Sequence, residues 1–484
     1  MKKLMFSASV IPILLCADTN ETSSALAVDA GADFRVRQEI MHNVPGLPGL
    51  GGASGAFVPR SYRKNVNHLR FRPRLWARAG YENFGIYGRV VDEFREHVVR
   101  NGTRRKDRAY NFPDELALDS LYFEGRDLFD GFMDFRIGRQ DLFDGRHSTL
   151  GLDRIMLDGA PYVGSRSCYA DMARFTFKFE EDSKLDAFAL YDNGRNTFSW
   201  GDRQSRGRPM NAIHPADSPE MDEWGGGLVW SSRVTPELGS FALPLPYKFY
   251  SIHKHTEAYT SGGTHRRMPD KDITTFGIDV EPQLTEFLSL EFDAAKQFGV
   301  LSDGNKQAGG HMGYAAIDFH PNISSHFDPF ARLSGYYLSG DRHRTGANDN
   351  DTAWDPMWAR APCDSEMFQY GTLYGLGYWE NIIYTKLTIG ADFGPLHRVS
   401  AYSGPMWAAE QDNLGTVDGD GSRYKGFLSA VRYDFPILLA PKGARGLDRF
   451  SIFGHVIAEL FNPGDYYDTS RPAWFVRWEL MFKF

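Results

Sequence analysis

The final stretch of the chain, Ala473–Phe484, reads AWFVRWELMFKF. Trp474, Val476, Trp478, Leu480, Phe482 and Phe484 fall on one parity, and Phe475, Arg477, Glu479, Met481 and Lys483 on the other. Side chains alternate faces along a strand, so this segment has one continuous apolar face and one mainly charged face. A soluble sandwich uses such a strand with its apolar face on a core. Aromatics at both ends of the apolar face favour a membrane-spanning barrel instead, in which an outer apolar band is bordered by aromatic girdles around a polar lumen.

The same period of two returns along the whole chain. Phe34–Glu39 is a weak opener. Leu69–Tyr81 is far stronger, with Leu69, Phe71, Leu75, Ala77, Ala79 and Tyr81 on one face and Arg70, Arg72, Arg74 and Arg78 on the other. Phe84–Arg95 follows after a tight turn. Further strands are expected at Leu116–Glu124, Phe132–Gln140, Asp171–Glu180, Leu185–Asp192, Glu223–Ser232, Pro246–Thr256, Lys271–Glu281, Glu286–Lys296 and His311–His320. The remainder are Asp328–Ser339, Asn381–Phe393, His397–Ala408, Tyr424–Phe435, Arg449–Phe461 and the terminal strand.

Short connections such as Glu82-Asn83, Glu181–Lys184, Pro282–Thr285, Pro321–Phe327 and Gly394–Leu396 interleave with long ones. The long ones are Met41–Asn67, Glu96–Glu115, Asp141–Ala170, Asn193–Asp222 and Gly340–Glu380. That sorting predicts an all-β, antiparallel up-and-down membrane barrel of about 18 strands, with short periplasmic turns and long extracellular loops. The expected organisation is a secretion signal over 1–27 and a single outer-membrane barrel over 28–484. Lys2 and Lys3 precede the apolar stretch Leu4–Leu15, and Ala25-Leu26-Ala27 offers a cleavage site, with cleavage after Ala17 as the alternative. Cys16 belongs to that leader. Cys168 and Cys363 fall in expected outer loops, where a disulfide and two free thiols are both open.

Composition agrees with a barrel. A mean hydropathy of −0.42 and the lack of a long apolar run after the N-terminus exclude a helical membrane protein. The net charge of −8, with dispersed basic residues, gives no reason to expect a nucleic-acid partner.

In a barrel the chemistry lies on the inward parity. Arg70, Arg72, Arg74 and Arg78 form a row, with Arg89, Arg95, Arg136, Arg174, Lys178, Arg332, Lys386 and Arg477 further round. Guanidinium groups hold carboxylate, phosphate or sulfate through a bidentate fork, and rings of Arg and Lys select anions in pores. Glu93, Glu124, Asp279, Glu291, Asp293, Asp318, Glu459 and Glu479 also point inward, so the alternative is a wall of mixed sign that keeps the lumen wet.

Several short runs carry a family resemblance. Phe132–Gly145 (FMDFRIGRQDLFDG), Leu69–Arg78 (LRFRPRLWAR), Tyr336–Asp341 (YYLSGD) with Thr352–Met357 (TAWDPM), and Gly454–Tyr467 (GHVIAELFNPGDYY) resemble segments of the alginate-export family of outer-membrane barrels. The resemblance implies an eighteen-stranded barrel, an arginine-lined constriction and passage of a polyuronate. By motif position, Arg70, Arg72, Arg74, Arg136 and Arg139 supply the lining.

The segment Asp144–Val163 is long for a simple outer loop. It is expected to fold inward with Arg146, Asp153 and Arg154 near a constriction, or else to form an extracellular flap. His253 and His255 have a metal-compatible spacing but no third ligand, and Asn348–Asp351 and Asp418–Asp420 lack the ligand pattern of a calcium loop. No metal, cofactor or catalytic constellation is expected. The sequence reading is therefore a non-enzymatic outer-membrane porin passing an anionic or polyhydroxylated saccharide. Its alternatives are a nonspecific porin and a structural or adhesive barrel with a closed lumen. The expected partners are outer-membrane lipid, the oligo- or polysaccharide, and the barrel-assembly machinery through the strand ending at Phe484.

Overall fold

A computed structural model describes residues 26–45, 63–98, 116–142, 148–156, 170–180, 182–192, 199–200, 223–238, 241–260, 267–268, 270–301, 306–321, 323–324, 326–341, 350–359, 365–368, 380–394, 396–411, 422–441, 443–444, 449–466 and 470–484. Their backbone forms a closed antiparallel barrel of 18 strands. In chain order these are β1 (Ala27–Pro45), β2 (Arg63–Tyr81), β3 (Phe84–Val91), β4 (Leu116–Asp127), β5 (Met133–Gln140) and β6 (Ala170–Glu180). Next come β7 (Ser183–Asp192), β8 (Glu223–Val234), β9 (Leu245–Thr256), β10 (Lys271–Val280), β11 (Leu288–Leu301) and β12 (His311–Phe319). The circuit ends with β13 (Asp328–Leu338), β14 (Ile382–Asp392), β15 (Arg398–Trp407), β16 (Tyr424–Leu438), β17 (Ser451–Pro463) and β18 (Ala473–Lys483).

Each strand pairs with its sequence neighbour, and β1 closes the cylinder on β18 in a register that sets Phe34 opposite Phe482 and Arg37 opposite Glu479. Closure leaves none of these 18 strands at a sheet edge. The expected strands all appear, and the main difference is length. Phe34–Glu39, weak by pattern, lies inside the 19-residue β1. Its Arg35, Arg37 and Glu39 gave the alternation a polar inner face without a matching apolar run at Gly31 and Ala32. Pairing on both sides, rather than local propensity, extends the strand. The start of β1 and the end of β18 meet at the short-turn end, where Ala32 and Phe484 exchange backbone hydrogen bonds of 3.3 and 2.9 Å.

The apolar belt is on the outside. Leu75, Ile86, Phe123, Leu228, Phe292, Leu333, Ile389 and Val431 all project outward and are exposed. Aromatics border the belt: Tyr81, Phe84, Phe129, Phe179, Phe327, Phe393 and Phe484 at the short-turn end, and Tyr191, Trp224, Phe298 and Trp474 at the long-loop end. The alternate parity carries the buried polar residues, including Arg35, Arg37, Glu39, Arg70, Glu93, Asp293, Glu459 and Arg477.

Segments of the long connections pack inside the cylinder. Leu150, Leu152, Ile155 and Met156 are buried, as are Trp354, Met357 and Trp358, and Met367 and Phe368. They share one hydrophobic cluster with inward wall residues such as Tyr250, Ile252, Ile273 and Tyr384. The glycines of β8 make this possible. A Cβ on Gly225 would lie 2.9 Å from the Trp358 ring and 2.1 Å from the His253 carbonyl oxygen. The run Gly225–Gly227 therefore alternates poorly in sequence because it serves close packing.

Candidate functional site

Buried ionic clusters fill much of the lumen, and the inward arginines of β2, β4 and β5 near the short turns are the more exposed ones. Among these clusters, β1, β2, β17 and β18 contribute a dense ionic network. Glu39 accepts from Arg70 Nη1 at 3.3 Å and lies 2.9 Å from Arg37 Nε, and Glu93 accepts from Arg70 Nε at 3.0 Å. Arg477 donates to His455 Nε2 at 3.1 Å and through Nη1 to Glu366 at 2.7 Å. Glu366 belongs to an inward loop segment. Glu459 on β17 caps that segment, accepting from the backbone N–H groups of Glu366 (2.9 Å) and Met367 (2.8 Å) and from the Ser365 hydroxyl (2.9 Å). Arg70, Arg72 and Arg477 do point inward. They are buried among partners, however, because the loop segment and the facing acids cover them.

A second contact ties residues 148–156 to the opposite wall. Arg154 donates to Asp293 (2.9 Å) and Glu291 (3.1 Å) on β11, and its guanidinium lies 3.4 Å from the centroid of the Tyr314 ring on β12. Burial disfavours that charge, but Asp293 and Glu291 more than offset it and hold the guanidinium above its ordinary range. Arg332 bonds Asp318 at 2.9 Å and also reaches Glu291, joining the same cluster. Asp153 accepts from the Ser148 backbone N–H at 2.6 Å and so shapes the turn. Arg146 lies outside the described residues, as do Cys16, Cys168, Cys363 and Asp418–Asp420.

A third segment is held by lysines. Asp355 accepts from Lys254 Nζ at 3.0 Å and lies 3.2 Å from Lys271 Nζ. Burial alone would raise this carboxyl, but the two lysines outweigh burial and hold it well below the usual carboxylate range. Gln297 Nε2 donates to the Asp355 carbonyl at 2.6 Å, and the Gln297 amide oxygen accepts from Asp355 N at 2.9 Å.

Toward the short turns the basic residues are less covered. Arg74 bonds Asp33 at 2.9 Å, Arg89 bonds Asp119 at 2.9 Å, and Arg174 bonds Asp186 at 2.9 Å. Arg78, Arg126 and Arg136 converge on Glu124. Arg126 was not legible as a site residue, because the expected strand stopped at Glu124 whereas β4 runs to Asp127.

Arg139 departs from the expectation. It lies three residues from the inward Arg136, so it falls on the opposite parity, level with the exposed Ile137 and opposite the exposed Leu121. It bonds Asp171 (3.0 Å) and the Leu118 carbonyl (3.3 Å) on the outer wall and does not line the lumen. His253 and His255 also face outward at the long-loop end, bonded to Thr274 and Asp272 beside Trp224. No group of metal-ligating side chains occurs among the described residues.

No protein-family model and no curated protein matches the sequence. Solved structures similar to the chain include Pseudomonas aeruginosa OccK11 (OpdR), at 12% identity over 94% of this chain and 96% of that one, with a TM-score of 0.44. A BenF-like porin from Pseudomonas fluorescens Pf-5 is 10% identical over 94% and 98%, with a TM-score of 0.46. Pseudomonas aeruginosa OccK2 (OpdF) in complex with glucuronate is 10% identical over 94% and 97%, with a TM-score of 0.44.

Proposed function

We propose that the barrel sits in a bacterial outer membrane and passes anionic or polyhydroxylated saccharides, of which alginate-like polyuronates or their fragments are the finer reading. The observation that carries this is the inversion of polarity: apolar side chains cover the outside of a closed cylinder and ionised ones fill the inside. Buried charge must be paired or hydrated, and the inward Arg78, Arg126 and Arg136 near the short turns are a third to a half exposed. Inward cations and acids on one wall replace part of a solute's hydration without holding it tightly, which suits diffusive passage. The outer belt is the surface for lipid.

One observation favours a different reading. Trp354, Trp358, Met367 and Phe368 fill the interior beside the packed ionic network, which suits a barrel whose lumen is closed and whose loops bind partners. Planar-bilayer conductance separates the two. Steps of steady conductance, with a reversal potential shifted toward the anion in a salt gradient and liposome swelling in oligouronates, support the channel. A barrel that inserts and never conducts supports the closed alternative.

A further inference from the structure

We infer that the short-turn mouth of the lumen contains a binding site for a dianionic oxyanion, a phosphate monoester, built from Arg78, Arg126 and Arg136. The inference rests on the channel reading and narrows its broad class of anionic saccharides to phosphorylated ones, in place of polyuronates. Glu124 Oε2 accepts from Arg136 Nη2 at 3.1 Å, Glu124 Oε1 lies 3.2 Å from Arg126 Nη2, and Arg78 Nη2 completes the set. Three guanidiniums thus share one carboxylate, leaving two positive charges in excess. The surroundings do not cancel that excess. Lys178 with Asp127 and Asp134 leaves one negative charge, and Asp186 with Arg174 and Lys184 leaves one positive charge, so these two neighbouring groups cancel each other.

Each of the three arginines uses one nitrogen on Glu124, and their Nε and Nη1 groups make no hydrogen bond within the described residues. Their side chains are 34%, 47% and 33% exposed, in a position whose parity faces the lumen. The free N–H groups therefore face water that a solute can displace. The site is also preorganised. The Arg136 guanidinium lies 4.3 Å from the centroid of the Tyr122 ring, Tyr122 stacks on Tyr87 at 5.1 Å, and Tyr87 on Trp76 at 6.3 Å. Gly31 opposite Trp76 makes room for this ladder, since a Cβ there would lie 2.5 Å from the indole. Glycines at the inward positions Gly85 and Gly138, opposite Glu124 and Tyr122, leave the face of the cluster unobstructed.

Charge decides the ligand class. A carboxylate neutralises half of the excess, whereas a phosphate monoester above its second ionisation neutralises all of it and presents three acceptor oxygens to forked donors. A neutral sugar offers neither.

Calorimetric titration of the full detergent-solubilised barrel with glucose 6-phosphate, inorganic phosphate, glucuronate and glucose tests this directly. Heat release on binding does not depend on whether the pore conducts. Glucose 6-phosphate is expected to bind roughly tenfold more tightly than glucuronate, and to weaken as pH falls through about 6, where the phosphate takes up a proton. Arg136→Gln and Arg126→Gln should each reduce phosphate affinity roughly tenfold and glucuronate affinity less. Glu124→Gln removes the internal competitor and should tighten phosphate binding, the opposite of what a purely structural role predicts. Heat-modifiable gel mobility confirms that each variant is folded, and R126Q, on the more exposed side chain, serves if R136Q is not. Equal affinity for glucose 6-phosphate and glucuronate, no binding of either, or unchanged phosphate binding in folded R126Q overturns the inference. Loss of conductance with phosphate binding intact overturns the channel reading alone.

Discussion

Arg154 Nη1 lies 2.9 Å from Asp293 Oδ2, joining a segment carried between β5 and β6 to the inner wall of β11. Asp293 also accepts from the Tyr250 hydroxyl at 2.9 Å. The contact fixes a loop segment across the lumen through one guanidinium shared by Asp293 and Glu291.

Replacing Arg154 by Gln leaves Asp293 and Glu291 facing each other with one fewer cation. Stranding a buried charge is costly, so unfolding in urea should shift by about 3 kcal/mol. Single-channel conductance should rise as residues 148–156 loosen. Wild-type conductance in a folded R154Q barrel would show that the segment does not narrow the path.

Arg70 and Arg78 share one strand and one face but should respond differently. Arg70 is buried between Glu39 and Glu93, so Arg70→Ser takes a cation from two buried acids, leaving Glu39 to Arg37 and His68 and Glu93 to Arg35, and should destabilise the barrel by about 3 kcal/mol. Arg78 is a third exposed and shares Glu124 with two other cations, so Arg78→Ser should cost about 1 kcal/mol or less. Its effect belongs in ion selectivity, read as a reversal potential moved toward cations. Equal stability losses in the two variants would contradict the burial difference.

The Asp355 contact predicts a pH dependence. Burial would raise the Asp355 carboxyl, but Lys254 and Lys271 hold it below its unfolded value. A group with a depressed folded pKa stabilises the fold above its unfolded pKa of about 4, and that contribution is lost as pH falls further. Stability attributable to this contact should therefore be flat from neutrality to about pH 5 and decline below about pH 4. Asp355→Asn removes the decline while lowering stability at neutral pH. Parallel acid profiles for D355N and the wild type would rule the contact out as their source.

The outer belt is tested by Leu333, exposed at mid-strand on β13. Leu333→Arg places a charge on the lipid face and should cost about 2–4 kcal/mol in bilayer folding. In a soluble barrel the same exposed substitution would be close to neutral. Unimpaired assembly of L333R into vesicles would remove the membrane orientation altogether.

The sequence by itself determined the barrel. A period of two is set by strand geometry, so Trp474–Phe484 and Leu69–Tyr81 announce their apolar and ionic faces without knowledge of any neighbour. The alternation of short and long connections, also local, fixes the antiparallel order of the strands. What only the tertiary structure decided is which inward charges are available. Arg70, Arg78 and Arg477 look equivalent in a parity count. Glu366 and Glu459 cover one end of the lumen through a loop segment far away in the chain, while Arg78 stays near the short turns beside Arg126 and Arg136. Arg139 was misplaced because a motif position says nothing of parity, whereas its odd spacing from Arg136 sends it outward. Alternation is a property of the backbone, but pairing depends on which acid the closed cylinder brings within reach.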